Sequence, residues 1–154
     1  MTRKARRLLC LEPATTTLPE ETTASPAQTE EAGRRLGERL RTGDVVLLTG
    51  ELGAGKTTFV RGVARGISSS APVASPTFQL IRVYPGRVQL AHVDLYRIEN
   101  DSELSGLGLE ELADQGAVII EWGDRIEVQD AALIDIQHLG GDRRLIRTKR
   151  DLRH

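Results

Sequence analysis

The chain has 154 residues, of which 39% are hydrophobic and 28% charged, the size and composition of one soluble domain with its own core. Its one cysteine, Cys10, excludes an intrachain disulfide and a cysteine-rich zinc site. The formal net charge of -1 conceals an asymmetry, because residues 94–130 carry eleven acidic side chains and two arginines, whereas both ends of the chain are basic.

The basic ends of the chain raise the question of a nucleic-acid partner. Residues 1–7 carry four cations and no acid, and residues 143–153 carry six cations and one acid. A nucleic-acid contact through these ends competes with the simpler interpretation, solvated tails.

No apolar run approaches the ~20 residues that span a bilayer, and the apolar stretch near the start is too short for a signal peptide. We therefore expect a cytoplasmic protein without membrane contact.

The N-terminal segment is predicted to be a tail. Residues 1 to about 24 are basic at first and then rich in Thr, Pro and Glu, and they show no sustained apolar period. We place the domain boundary inside this segment. Residues 1–16 are assigned to a basic, disordered tail, and residues 17–150 to the folded domain.

The first helix is predicted to start at Ser25. Serine is a preferred cap, Pro26 suits the first helical position, and Gln28 can complete a capping box. An apolar stripe follows at a spacing of four residues, formed by Ala32, Leu36 and Leu40.

A buried strand is predicted directly after this helix. Residues 45–49 form a continuous apolar run, which is typical of a strand covered on both faces. A glycine-rich loop follows, and then a second helix whose apolar side chains fall on one side. These side chains are Phe59, Val60, Val63, Ala64 and Ile67.

The second half of the chain continues this alternation. Residues 79–84 and 88–93 are predicted to form a strand pair, and residues 98–115 an acidic region of short helices. Residues 117–121 form another apolar strand, and residues 133–148 a terminal β-hairpin. The expected fold is α/β, a P-loop NTPase-like three-layer sandwich around a mostly parallel sheet.

The loop between the first buried strand and the second helix matches the phosphate-binding pattern G-x4-G-K-T. Its glycines let successive backbone N–H groups turn inward, and the helix that follows adds its free N–H groups and the positive end of its dipole. In such a loop Lys56 reaches the β- and γ-phosphates and the Thr57 hydroxyl binds Mg²⁺. The predicted nucleotide-binding residues are Gly50, Glu51, Leu52, Gly53, Ala54, Gly55, Lys56, Thr57 and Thr58.

Two acids qualify as partners for Mg²⁺. Asp94 and Glu121 each end an apolar strand, and ligands of open α/β sheets bind at the carboxyl ends of the strands. We prefer Asp94 as the metal acid and Glu121 as a second metal-shell or water-orienting carboxylate, with the direct ligand left open between them. His92 could reach the same site, although we favour a structural role for it.

A short loop at residues 75–78 is a candidate switch. It lies between the second helix and the next strand, where many P-loop proteins place a threonine that senses the γ-phosphate and Mg²⁺. Thr77 is therefore a candidate catalytic residue with Lys56 and Glu121. An ordinary turn explains the spacing equally well.

Taken together, the motifs resemble those of the TsaE (YjeE) family of bacterial ATPases over about residues 17–148. They occur in family order and at family spacing. The segments that carry the resemblance are Gly50-Glu51-Leu52-Gly53-Ala54-Gly55-Lys56-Thr57-Thr58, Ser75-Pro76-Thr77-Phe78, His92-Val93-Asp94-Leu95-Tyr96-Arg97, Leu107-Gly108-Leu109-Glu110-Glu111 and Ile120-Glu121-Trp122.

The resemblance implies a function in tRNA modification. Members of the family bind and hydrolyse ATP with Mg²⁺ during threonylcarbamoyl modification of the adenosine beside the anticodon, together with the partner proteins TsaD and TsaB. Independently of the resemblance, the basic ends of the chain leave open a weak or indirect contact with tRNA. The chain departs from the family pattern in its first fifteen or so residues and around residues 100–106.

The resemblance also implies roles for single residues. Lys56 and Thr57 would be the Walker A pair, Thr77 the switch-like residue and Asp94 the Walker B-type acid. Glu121 with Trp122 would lie beside the metal and the γ-phosphate. The family's adenine contacts fall near residues 22–28 here, without a match of individual residues.

Three other function classes compete with this one. A small-metabolite kinase usually has an arginine-rich lid, whereas the cations here lie mostly in the first helix and the terminal segments. A GTPase is disfavoured because the chain has no N-K-x-D motif and no Asp followed three residues later by Gly. A nucleotide-dependent scaffold without functional hydrolysis stays open.

Overall fold

A computed structural model describes residues 19–51, 53–73 and 80–154 of the chain. These residues form seven strands, four helices and one short 3-10 turn at Gly123–Arg125. The strands are β1 (Glu20–Thr23), β2 (Val45–Thr49), β3 (Ile81–Tyr84), β4 (Leu90–Asp94), β5 (Ala117–Glu121), β6 (Ala132–Gly140) and β7 (Arg143–Arg150). The helices are α1 (Pro26–Arg39), α2 (Lys56–Gly66), α3 (Asp101–Ser105) and α4 (Leu109–Gln115).

All seven strands form one sheet in the order β1-β7-β6-β2-β5-β4-β3. The four central strands β6, β2, β5 and β4 run parallel to one another, and β7 and β3 are antiparallel to their neighbours. Helices cover both faces, so the predicted α/β three-layer sandwich with a mostly parallel sheet and a terminal hairpin is confirmed. The carboxyl ends of the parallel strands meet at one edge of the sheet.

The start of α1 matches its prediction. The Ser25 hydroxyl oxygen accepts a hydrogen bond from the Gln28 N–H at 3.2 Å, and the Gln28 side chain accepts one from the Ala24 N–H at 2.7 Å. Pro26 is the first helical residue. The first bond satisfies an N–H group that the first helical turn leaves without an intrahelical partner, and the second ties the residue before the cap to the helix.

One face of the sheet is covered tightly by α1 and α2. Their backbones touch at glycines, because a Cβ atom placed on Gly62 would lie 1.8 Å from the Glu30 backbone oxygen, and one placed on Gly33 would lie 2.0 Å from the Phe59 oxygen. The predicted apolar stripes of both helices are buried against the sheet. This pair of helices fixes the position at which α2 begins.

The opposite face is covered by the short helices α3 and α4. Every residue of these helices is at least partly exposed, and the leucines Leu104, Leu109 and Leu112 pack only in part against the buried side chains of the sheet. The predicted region of short helices is confirmed, with Gly106 and Gly108 lying between α3 and α4.

The tail-like stretch ends earlier than the expected residue 24. Residues 20–23, which lie inside the assigned domain of residues 17–150, form β1, which pairs antiparallel with residues 144–147 of β7. The sequence Glu-Glu-Thr-Thr carries no apolar alternation, and the strand exists because β7 offers it an edge. The assigned tail, residues 1–16, lies outside the described residues.

None of the helices in the described ranges combines the length and the apolar composition that crossing a bilayer requires.

Candidate functional site

The glycine-rich loop joins the carboxyl end of β2 to the first residue of α2. Gly50 follows β2 with a φ of 146°, and a Cβ atom at this position would lie 2.5 Å from the Ile136 backbone oxygen, so only glycine fits. Gly55 caps α2 in the left-handed region with a φ of 102°. The backbone therefore turns sharply at both ends of the loop, which presents the N-terminus of α2 to the carboxyl edge of the sheet.

Lys56 is the first residue of α2, and its side chain is folded back over the loop. Its Nζ atom donates hydrogen bonds to the backbone oxygens of Gly50 at 2.7 Å and Glu51 at 2.9 Å. The same atom lies 4.3 Å from the centre of the Trp122 ring. Lys56 is only 5% exposed. A buried ammonium group held by acceptors and an aromatic face is positioned to exchange these contacts for an anion.

Asp94 and Glu121 lie side by side at the carboxyl edge of the sheet. They are paired residues of the parallel strands β4 and β5, and Glu121 is also paired with Leu48 near the end of β2. Strand alternation places both acids on the α1–α2 side, because Val93 and Ile120 belong to the core of the other face. Glu121 thus lies on the strand next to β2, and Asp94 lies on the strand beyond it.

His92 is the residue whose position the sequence interpretation underestimated. It is completely buried on the same side of β4 as Asp94, and its Nε2 atom lies 2.5 Å from the Oε2 atom of Glu121. Glu121 itself is 4% exposed. The signal that could have placed His92 here is the spacing of two residues to Asp94, since alternate strand residues share a face.

Trp122 and Tyr96 form an aromatic pair above this edge. Their ring centres are 5.2 Å apart, and each residue follows the strand that carries one of the acids. Arg125 connects the two segments, because its Nη1 atom donates to the backbone oxygens of Leu95 at 2.8 Å and Tyr96 at 2.9 Å. Arg125 was not among the predicted site residues, and it holds together the loops that follow Asp94 and Glu121.

Burial dominates the electrostatics of the site. It lowers the pKa of Lys56, and the neighbouring acids, Glu121 and Asp94 first among them, act in the opposite direction. Burial likewise raises the pKa of Asp94, against the hydrogen bond from the Tyr96 N–H. Both shifts have the sign expected for charges withdrawn from water before any ligand compensates them.

The comparison with family models identifies the chain. Residues 23–147 match the family described as "Threonylcarbamoyl adenosine biosynthesis protein TsaE". The chain belongs to the TsaE family.

Individual relatives agree with this assignment. A TsaE protein of Nostoc sp. is 43% identical over 125 residues, which cover 77% of this chain and 76% of the relative. The TsaE protein of Bacillus subtilis is 40% identical over 129 residues, 80% of each chain. Both are named tRNA threonylcarbamoyladenosine biosynthesis proteins.

The fold agrees as well. The crystal structure of Bacillus subtilis YdiB superposes with a TM-score of 0.72 and 31% identity, covering 86% of this chain and 84% of that one. The TsaE-family chain therefore takes part in tRNA threonylcarbamoyladenosine biosynthesis, a tRNA modification.

The residues at the edge of the sheet fit a nucleotide with Mg²⁺. Mg²⁺ is usually held by one or two carboxylates together with substrate phosphates rather than by a full protein cage. Asp94, Glu121 and the half-buried Thr57 at the start of α2 supply oxygen donors of this kind. Within the described ranges no group of three or more His, Cys, Asp and Glu side chains is arranged to hold a metal alone.

Two predicted positions lie outside the described residues. These are Leu52 within the loop and Thr77 with the rest of the candidate switch at residues 75–78. Their assignments to nucleotide binding and catalysis stay predictions. The remaining members of the predicted nucleotide set, residues 50–51 and 53–58, lie on either side of Leu52 at the junction of β2 and α2.

Proposed function

We propose that the chain is a Mg²⁺-dependent ATPase that binds ATP in the Gly50–Thr57 loop and hydrolyses it slowly on its own. The observation that carries this proposal is the position of Lys56. Lys56 is the first residue of the helix that follows the central strand β2, and two carboxylates end the next two strands of the sheet, Glu121 on β5 and Asp94 on β4. This is the arrangement that phosphate positioning and metal binding require.

The chain's own residues would divide the work as follows. Lys56 and the N–H groups at the start of α2 would hold the phosphates, with Lys56 releasing the backbone oxygens of Gly50 and Glu51. Thr57 and Asp94 would hold Mg²⁺, and Glu121 would orient the attacking water or share the metal. Bound Mg²⁺ neutralises charge on the phosphate oxygens. Thr77 stays a candidate for sensing the γ-phosphate.

Calorimetry of Mg·ATP binding tests the proposal with Lys56→Ala. Each charge-assisted bond to phosphate contributes about 1.5–3 kcal/mol, and Lys56 should make two. Since ~1.4 kcal/mol is a factor of ten, the affinity should fall on the order of a hundredfold or more. Arg61→Ala, which removes an exposed cation from the middle of α2, is the matched control and should bind as the parent does. Equal binding by the parent and Lys56→Ala would remove the proposal.

We further propose that ATP hydrolysis serves tRNA modification in a complex with TsaD and TsaB. Membership of the TsaE family supports this assignment. The test is reconstitution of threonylcarbamoyl transfer to tRNA from purified components, with this chain, without it, and with its Lys56→Ala variant. Modification should need the parent chain and ATP, and modification at the full rate with Lys56→Ala would show that hydrolysis here is dispensable.

A direct tRNA contact through the basic ends stays a weaker expectation. Residues 1–7 lie outside the described residues. In the C-terminal segment Arg147 is paired with Glu20 at 3.0 Å, and Arg153 is paired with Asp130. Charges already compensated within the fold contribute less to binding phosphates, so any such contact should be weak and should decline steeply with salt.

A further inference from the structure

We propose that His92 is a positioning residue for the ATPase reaction, which holds the Glu121 carboxylate in the orientation that catalysis needs. The inference rests on the proposed function and adds to it a residue with no assigned role there. His92 acts through Glu121 rather than on the nucleotide itself.

The geometry places the two side chains in direct contact. The Nε2 atom of His92 and the Oε2 atom of Glu121 are 2.5 Å apart, and the two side chains are 0% and 5% exposed. In the register of β4 and β5, His92 is paired with Ile119 and Asp94 with Glu121. Glu121 is thus paired with Asp94, and its side chain contacts His92, which lies two residues before Asp94 on the same face of β4.

Packing alone does not account for a histidine at this position. The neighbours on this face of β4 and β5 are the apolar residues Leu90, Ala117 and Ile119, so two apolar residues in place of His92 and Glu121 would fill the site without burying polar atoms. Among the described residues the second ring nitrogen of His92, Nδ1, has no hydrogen-bond partner, which is itself destabilising. A buried polar pair of this kind is often less stable than an apolar replacement. Its position beside Asp94 and Lys56 supplies the functional reason.

The hydrogen bond to His92 restricts the orientation of the Glu121 carboxylate. A glutamate at a strand end has three rotatable bonds, and a hydrogen bond to one carboxylate oxygen fixes the plane and direction of the group. With Oε2 engaged by His92, the other oxygen is the one available to a water or to the metal. Removal of a side chain that orients a catalytic or metal-binding group in this manner typically lowers activity about tenfold to a hundredfold.

Two amide variants separate positioning from packing. The side-chain nitrogen of His92→Gln can occupy the place of Nε2 and keep the bond to Glu121, whereas that of the shorter His92→Asn corresponds to Nδ1 and cannot reach. We expect His92→Asn to lower kcat about tenfold to a hundredfold with the Mg·ATP Kd within about twofold, and His92→Gln to recover most of the loss. His138→Leu changes an exposed histidine of β6 and should match the parent.

A double-mutant cycle tests whether His92 acts through Glu121. His92→Leu should lower kcat in the parent and have no further effect in a Glu121→Leu background, because the carboxylate it orients is then absent. The doubly substituted chain replaces the whole pair by apolar groups, so it should melt no lower than either single variant. Where a single substitution fails to fold, NMR of the parent chain keeps the contact between His92 and Glu121 testable.

NMR of the nucleotide-free protein gives a readout that does not depend on activity. In the ¹⁵N-histidine-labelled parent, the Nε2 proton of His92 should be protected from exchange with water, and in Glu121→Leu the protection should be lost. The His138 ring should be unaffected by Glu121→Leu.

The outcomes distinguish this inference from the proposed function. If the parent binds Mg·ATP and Lys56→Ala does not, while His92→Asn and His92→Gln hydrolyse ATP as fast as the parent, the positioning role is refuted and the ATPase stands. A higher kcat in His92→Asn would also refute it, because His92 would then restrain Glu121 away from the reaction. Failure of the parent to bind Mg·ATP would count against the proposed function itself.

Discussion

The two faces of the sheet are built differently. On one face α1 and α2 meet backbone to backbone at glycines and bury Phe59 and Val63 almost completely. On the other face α3 and α4 stay partly exposed, and a cavity of about 540 Å³ lies among Val45, Leu109 and Val128. The proposed catalytic groups Lys56, Asp94 and Glu121 all belong to the edge of the tightly packed face.

This difference indicates where the molecule needs rigidity. Phosphate recognition depends on N–H groups and side chains held within fractions of an ångström, and rigid elements supply that better than loops. The tight face anchors α2, whose first residue is Lys56. The loosely packed face contributes apolar support to the strands, but its helices carry none of the proposed phosphate contacts. Stability and function should therefore respond unequally to matched substitutions on the two faces.

The largest contrast is expected for truncation of apolar side chains. Phe59→Ala should destabilise the fold by about 3–5 kcal/mol, because the ring is fully enclosed between α1, α2 and the sheet. Leu112→Ala in α4 removes a partly exposed side chain and should cost about 1–2 kcal/mol. Urea unfolding of both variants measures the difference. Equal losses would show that the two faces are packed alike.

A smaller contrast is expected for a single added methyl group. Gly62→Ala forces α1 and α2 apart, since the new Cβ atom would lie 1.8 Å from the Glu30 oxygen, and should cost about 3 kcal/mol. Gly106→Ala, at the end of α3, meets nothing closer than 3.5 Å at an ordinary helical φ of -76° and should change stability by less than about 0.5 kcal/mol. Thermal unfolding compares the two. A Gly62→Ala variant as stable as the parent would contradict the described contact between the helices.

The smallest effect concerns the charge at the edge of the tight face. Burial raises the pKa of Asp94 above its ordinary 3.8, so the ionised carboxylate is less stable in the folded chain than in the unfolded one. Asp94→Asn should therefore stabilise the nucleotide-free protein at pH 7, by less than about 1 kcal/mol because the group is partly exposed.

The same variant has a defined pH dependence. The gain from Asp94→Asn should shrink as the pH falls through the raised pKa of Asp94 and vanish below 3.8, where the parent carboxyl is protonated in both states. Melting curves of both proteins between pH 7 and pH 3.5 follow this change. A gain that grows on acidification would mean that the Asp94 pKa is lowered instead.

The sequence predicted those parts of the fold that local patterns encode. The bounds of β2 and β5 follow from their apolar runs, the start of α1 from its capping residues, and the meeting of Asp94 with Glu121 from the rule that parallel strands end at one edge. Strand β1 was missed because Glu20–Thr23 has no apolar alternation and depends on pairing with residues 144–147, more than a hundred positions along the chain. The contact between Gly33 and Phe59 and the bond between His92 and Glu121 join distant residues, and no local period encodes such contacts.

A crystal structure with Mg²⁺ and a non-hydrolysable ATP analogue tests the central claim most directly. The account predicts the triphosphate in the Gly50–Thr57 loop, with Lys56 Nζ moved from the backbone oxygens of Gly50 and Glu51 to the phosphates, and the metal near Asp94 and Glu121. A nucleotide bound elsewhere at saturating concentration, with Lys56 still bonded to its own loop, would contradict it.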